Sequence, residues 1–216
     1  MGFCLTKAFI FDFDGTLVDS EQAIYQCFQS ITQQLAPSRV TYAKNILIGP
    51  PLRDTASEIL GPEHQDSLDE FVQLFIEMHD KQVIKHTQPY PNVIQVLYQL
   101  HSENIPMAVA TNKRLAPTKK LIDYFGWNEY FQLIECSDSQ SQIRNKDDMI
   151  QDIISQNKSF QGSYFIGDTV NDGLSANINQ LKFIKACYGY GCNQDWSSVK
   201  IFIEIQNFSS ALDLIK

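Results

Sequence analysis

Short apolar runs alternate with longer stretches of helical periodicity along this chain, and each run has the length of a single strand. Runs at residues 7–13, 105–112, 130–136, 162–168, 181–187 and 200–205 are rich in Ile, Val, Phe and Tyr, which predicts six strands. The first, second and fourth are apolar enough to be buried on both faces of a sheet. They end in Asp12, Thr111 and Asp168. Strands separated by helical patterns predict an α/β fold with a parallel sheet, in which ligands sit outside the carboxyl ends of the strands. Those three polar ends are therefore expected to converge on one crevice.

The gap between the first two strands is far longer than one crossover helix requires. Within it Ile24, Phe28, Ile31 and Leu35 recur at helical spacing, as do Leu68, Phe71, Val72, Phe75, Ile76 and His79, with Thr55, Ile59 and Leu60 between them. This predicts an inserted helical unit at residues 21–85, leaving residues 1–20 and 86–216 to form the core. Pro89 and Pro91 precede Val93, Val96, Leu97 and Leu100 and mark a stiff return into the core.

Composition narrows the classes. The 216 residues are 44% hydrophobic and 19% charged, so a folded core is expected rather than a disordered chain. The formal charge of −8 disfavours nucleic acid and anionic membrane surfaces as partners. No apolar stretch approaches the ~20 residues of a membrane span. The start of the chain reaches Asp12 without forming a secretory leader, so the mature chain is expected to begin as written. Met1, Gly2 and Thr6 fit a myristoylation pattern, with Cys4 nearby, but short patterns match by chance and a lead-in to the first strand is the simpler reading. Cys4, Cys27, Cys136, Cys187 and Cys192 lack paired metal spacing and are expected to be reduced, buried thiols of a cytoplasmic protein.

Four constellations carry chemistry. Asp12 and Asp14 sit two apart where the first strand ends, and Gly15 lets the chain turn. Asp168 closes the fourth strand, with Asp172 one helical turn on. Carboxylates ~4 Å apart repel by about 4 kcal/mol per pair at an effective dielectric near 20, so gathering them calls for a cation or for protonation. Oxygen ligands with no nearby His or Cys suit a hard ion such as Mg²⁺. Thr111 and Asn112 end the second strand as donors suited to an anion, and Lys146 opens a helix bearing Met149, Ile150, Ile153 and Ile154.

The order DFDGT, ATN, Lys and GDTxxD resembles the four motifs of the haloacid dehalogenase superfamily of phosphatases, over essentially the whole chain. The resemblance implies a Rossmann-like parallel sheet core with an inserted helical cap. It further implies Asp12 as nucleophile and Asp14 as acid and base. Mg²⁺ would be held by Asp12, the Asp14 carbonyl and Asp168, with Asp172 in support. Thr111 and Lys146 would hold the phosphoryl group, helped by backbone N–H groups near Gly15 and Asn112. Many relatives carry Lys-Pro-x-Pro where Lys146 is followed here by Asp147 and Asp148, which leaves Lys113 as an alternative phosphate-binding lysine.

The expected activity is hydrolysis of a small soluble phosphate monoester, phosphoglycolate-like, through an aspartyl-phosphate. A β-phosphoglucomutase-like phosphotransferase and a non-catalytic phosphate-binding regulatory protein are the alternatives. The second carboxylate, Asp14, argues against a dehalogenase. The segment at residues 49–55 resembles the cap stretch that approaches substrate in phosphoglycolate-phosphatase-like members, so Arg53 is expected to clamp a second anionic group. His64, His79, His86 and His101 have no metal-ligand spacing and are expected to be structural or on the surface. The substrate's identity and the oligomeric state are left open by these residues.

Overall fold

The computed structural model describes residues 7–140 and 144–215; the myristoylation pattern at Met1, Gly2 and Thr6, and Cys4, lie outside them. The elements in chain order are β1 (Phe9–Phe11), β2 (Val18–Asp19), α1 (Glu21–Leu35), α2 (Val40–Ala43), α3 (Leu52–Leu60), α4 (Leu68–Gln82), β3 (Gln88–Pro89), α5 (Val93–Ser102), β4 (Met107–Thr111), α6 (Leu115–Phe125), β5 (Leu133–Cys136), α7 (Lys146–Gln156), β6 (Tyr164–Gly167), α8 (Val170–Ile178), β7 (Lys182–Ala186) and β8 (Ile203–Ile205). All six expected strands form one sheet in the order β5-β4-β1-β6-β7-β8, and every pairing in it is parallel. Strand order reverses at β1, so a crevice opens beyond its carboxyl end, between β4 and β6.

Alternation along the strands fills both faces. Phe9, Phe11, Met107, Val109 and Ile166 pack on one side with Val96 and Leu100 of α5 and Leu121 of α6. Ala8, Ile10, Ala108, Ala110 and Phe165 pack on the other with Met149, Ile150 and Ile153 of α7 and Ala176 of α8. This period-two division explains why β1, β4 and β6 read as continuous apolar runs: both of their faces are covered.

The helices from α1 to α4 bury a separate apolar cluster, in which Ile24, Phe28 and Ile31 of α1 meet Ile59 and Leu60 of α3 and Phe71 and Phe75 of α4. The chain enters and leaves this excursion through a short antiparallel pair, with Val18 opposite Pro89 and Asp19 opposite Gln88. Two-residue strands are too short to announce themselves by periodicity, and the sequence shows only the prolines.

Cys27, Cys136, Cys187 and Cys192 are free thiols, but the expectation that all are buried fails: Cys187 is half-buried and Cys192 is exposed. The turn-rich stretch that follows β7 carries Cys192 out of the core. Burial pushes the Cys27 thiol up to about 11 and the Cys136 thiol up to about 12, which keeps both unreactive. Among the described residues no helix is long and apolar enough to cross a membrane.

Candidate active site

Asp12 leaves the end of β1 with its backbone N–H on the Ile166 carbonyl at 2.9 Å, which locks it beside β6. Asp168 follows β6 directly, and Thr169 caps α8 in a reciprocal arrangement with Asp172. Oδ2 of Asp172 accepts hydrogen bonds from the Thr169 N–H at 2.8 Å, the Thr169 hydroxyl at 2.7 Å and the Asp168 N–H at 3.2 Å. One oxygen therefore builds the helix start while Oδ1 faces Lys146. Asp12, Asp168 and Asp172 are all buried, and each offers an oxygen within 4.8 Å of the others. The donor set is three carboxylates with no nitrogen or sulfur, which fits a hard divalent cation.

Lys146 opens α7 and is only 3% exposed. Its ammonium donates to Asp12 Oδ1 at 2.8 Å and to Asp172 Oδ1. One ammonium among three carboxylates leaves an excess of buried negative charge. Accordingly burial pushes Asp12 up to about 7, with Lys146 opposing and Asp172 reinforcing the rise. Burial, with Asp172 and Asp12 nearby, likewise holds Asp168 well above the usual carboxylate range. Burial disfavours the Lys146 ammonium, yet the attraction of Asp12 and Asp172 prevails and raises it above its ordinary value.

Asp168 is gripped from two other directions, by the Tyr190 N–H at 2.7 Å on Oδ2 and the Thr16 hydroxyl at 3.2 Å on Oδ1. Gly15 and Gly189 make room for it. Gly15 has φ +83°, and a Cβ there would stand 2.3 Å from Asp168 Oδ2; a Cβ on Gly189 would stand 2.3 Å from both Asp168 Cβ and the Gly15 carbonyl oxygen. The N–H of Gly15 closes the turn on the Val18 carbonyl at 2.8 Å, and its missing side chain permits the close approach of Asp168.

Asp14 does not join the three clustered carboxylates. Its Oδ1 accepts from the Ser20 hydroxyl at 2.6 Å and from Lys113 Nζ at 2.9 Å, and Lys113 also reaches Oδ2 at 3.1 Å. The two lysines that the sequence leaves as alternatives thus hold different carboxylates. Thr111 is buried at the end of β4, its hydroxyl accepting from the Lys113 N–H at 3.2 Å. Asn112 donates its side-chain amide to the Gly49 carbonyl at 2.8 Å, tying β4 to the segment before α3.

A cavity of about 80 Å³ lies between these strand ends and the inserted helices, lined by Asp12, Asp14, Thr111, Asn112 and Lys113 on one side. Arg53 is not brought to it. The guanidinium is half-exposed and pairs with Asp69 at 2.7 Å. Burial of Thr55, Ala56, Ile59 and Leu60 sets the orientation of α3, and Asp69 in the first turn of α4 captures the arginine outside. Gly49 and Pro50 do line the cavity, as does His79, which is buried on α4. Helical spacing places His79 on the inward face with Phe71 and Phe75; the sequence holds no sign that this face ends over the crevice.

Residues 9–186 match the family described as haloacid dehalogenase-like hydrolase. The chain belongs to that family. Among the haloacid dehalogenase-like hydrolases it is 28% identical over 222 residues to a phosphoglycolate phosphatase of Photobacterium profundum, covering 97% of this chain and 96% of that one. It is 27% identical over 167 residues to a pyrophosphatase of Listeria monocytogenes, covering 76% and 75%. A protein from Haemophilus somnus described as a predicted phosphoglycolate phosphatase superposes with a TM-score of 0.85 at 20% identity, over all of both chains. A family protein from Streptococcus pneumoniae gives 0.82 at 22% identity, over 98% and 99%. The last two likenesses concern the fold, while the relatives in sequence align the chain with the phosphatases of the family.

Proposed function

We propose that the protein is a Mg²⁺-dependent phosphatase that hydrolyses a small soluble phosphate monoester through an aspartyl-phosphate. The observation that carries this reading is the buried cluster of Asp12, Asp168 and Asp172 around Lys146, whose Asp12 lines a cavity that Asp14 also lines. Asp12, Asp168 and the Asp14 carbonyl would hold the Mg²⁺, with Asp172 in support, and its charge would offset that of the substrate's phosphoryl oxygens.

The remaining steps fall to side chains. A carboxylate oxygen of Asp12 attacks phosphorus, and the bond from phosphorus to the ester oxygen breaks. Asp14 gives its proton to that departing oxygen. Asp14 then takes a proton from water, whose oxygen attacks the same phosphorus and releases Asp12 and inorganic phosphate. Lys146 fixes Asp12 through Oδ1, while Ser20 and Lys113 hold Asp14 at the cavity wall. Thr111 and Asn112 stand where phosphoryl oxygens would be received. The helices at residues 21–85 act as a cap that excludes bulk water. The free cysteines are consistent with a reducing compartment, and we assign the enzyme to the cytosol.

Phosphate release from phenyl phosphate with Mg²⁺ tests the reading. Asp12→Asn is expected to lower the rate by at least about 10³-fold while leaving thermal unfolding cooperative. Retained turnover in that variant would overturn the nucleophile assignment.

A further inference from the structure

The cavity has two unlike walls. Strand ends supply Asp12, Asp14, Thr111 and Asn112, whereas the inserted unit supplies Ile24, Phe28, Leu52 and Phe75 from its helices and Ile48 from the segment before α3. The cations that reach it are already committed: Lys113 to Asp14, and Arg114 to Asp80. Arg53 lies outside it, paired with Asp69. Among the described residues, then, the helical wall presents no unpaired cation to a second anionic group of the substrate. A carboxylate or phosphate pushed against it would lose its water without gaining a partner.

One residue lining that wall has a buried polar atom without a partner. His79 is 2% exposed, lines the cavity, and its Nε2 is buried with no hydrogen bond among the described residues. The ring is held flat against Phe75, with centroids 5.2 Å apart and planes 11° from parallel. Its other nitrogen lies 3.6 Å from Asp80 Oδ1, too far for a good hydrogen bond. Burial and the Lys113 ammonium lower its proton affinity, with Asp80 and Asp14 opposing, which favours the neutral ring. Nε2 of a neutral imidazole either donates or accepts, and a hydroxyl group satisfies both cases.

Resting on the phosphatase reading, we propose that His79 is the residue that recognises the leaving group, and that the substrate is a phosphate monoester of a compact, uncharged alcohol. Its carbon skeleton packs on Phe28, Ile48 and Phe75, and a second hydroxyl meets His79 Nε2. A largely apolar wall with one unpaired buried nitrogen selects in this way because a ligand lacking the hydroxyl leaves that atom unpaired.

The test compares kcat/KM for hydroxybutyl phosphate, butyl phosphate and phosphoglycolate in the Mg²⁺-loaded wild-type enzyme and in His79→Leu. The wild type is expected to favour hydroxybutyl phosphate over each of the others by at least about tenfold. His79→Leu is expected to bring the hydroxybutyl-to-butyl ratio within about twofold of unity, and His79→Gln to restore part of it. General damage to the fold lowers both rates together and leaves their ratio alone, so the ratio isolates recognition. If the leucine variant fails to unfold cooperatively, the glutamine variant is read against wild type instead, with a lowered ratio expected. Preference for phosphoglycolate, or a ratio that neither variant moves, overturns this proposal alone. Absence of phosphate release from all three esters and from phenyl phosphate overturns the phosphatase reading and this proposal with it.

Discussion

Lys113 Nζ sits 2.9 Å and 3.1 Å from the two oxygens of Asp14, joining the end of β4 to the turn after β1 beside the cavity that both line. Both side chains are largely buried, at 5% and 13% exposed. The pair holds the proposed acid and base in one orientation while the ammonium stays clear of the three clustered carboxylates. Lys113→Met is expected to lower kcat on phenyl phosphate by roughly tenfold or more and to cost about 1–3 kcal/mol of stability. In a double-mutant cycle, adding Asp14→Asn to it should cost less than Asp14→Asn does in the wild type; full additivity would show that the two side chains act independently.

Lys146 has a different burden. Removing it as Lys146→Met leaves Asp12 and Asp172 facing each other without their shared cation. Without divalent ions, a loss of about 3–5 kcal/mol is expected in urea unfolding at neutral pH. Turnover should vanish to background. A Lys146→Met protein as stable as the wild type would contradict the charge balance described for this cluster.

The carboxylates also set a pH dependence. Asp12 and Asp168 are raised when folded and ordinary when unfolded, so the folded protein retains their protons over a range where the unfolded chain has released them. Stability falls with rising pH wherever the native state binds more protons. In chelator, the protein should therefore lose stability steadily between about pH 4 and pH 7. Lys146, raised in the same cluster, contributes its stabilisation throughout that window, being protonated in both states below about pH 10. Saturating Mg²⁺ should flatten the slope, because the ion binds the ionised carboxylates. Thermal unfolding across pH with and without Mg²⁺ measures this, and a rise in metal-free stability over the window would refute it.

Gly189→Ala probes the packing behind the cluster. The new methyl would lie 2.3 Å from the Gly15 carbonyl oxygen and from Asp168 Cβ, and neither can swing aside as a flexible side chain does. We expect the variant to lose most of the stabilisation that Mg²⁺ confers, because Asp168 is displaced, as read by the shift in unfolding temperature on adding the ion.

Asn112→Ala removes the hydrogen bond to the Gly49 carbonyl, a link between the strand ends and the segment that covers them. The KM for phenyl phosphate should rise by a factor of about three to ten, and amide exchange around Gly49 should quicken. Unchanged exchange there would mean that other contacts hold the segment in place.

Much of this was legible in the residues themselves, for identifiable reasons. Strands buried on both faces leave no polar position to interrupt them, so β1, β4 and β6 stand out as apolar runs, and the aspartates and threonine at their ends stand out against those runs. Asp12, Asp168, Asp172 and Lys146 meet because a parallel sheet delivers its carboxyl ends to one side. What stayed hidden depended on partners remote in sequence. Arg53 is directed by Asp69, on a neighbouring helix. Lys113 is recruited by Asp14 across the crevice, and Tyr190 supplies an N–H to Asp168 from a loop with no motif of its own. His79 was visible as an inward residue of α4, but what its inward face overlooks is decided by how the whole helical excursion sits on the sheet.

The side-by-side pairing of Val18 with Pro89 also bears on how this architecture diversifies. Entry and exit of the excursion lie about one interstrand spacing apart, ~5 Å. A replacement stretch of any length needs only to bring its two ends within that distance to be spliced in without disturbing the sheet. New leaving-group preferences can then be acquired as an exchangeable cassette, while the chemistry beneath is inherited unchanged.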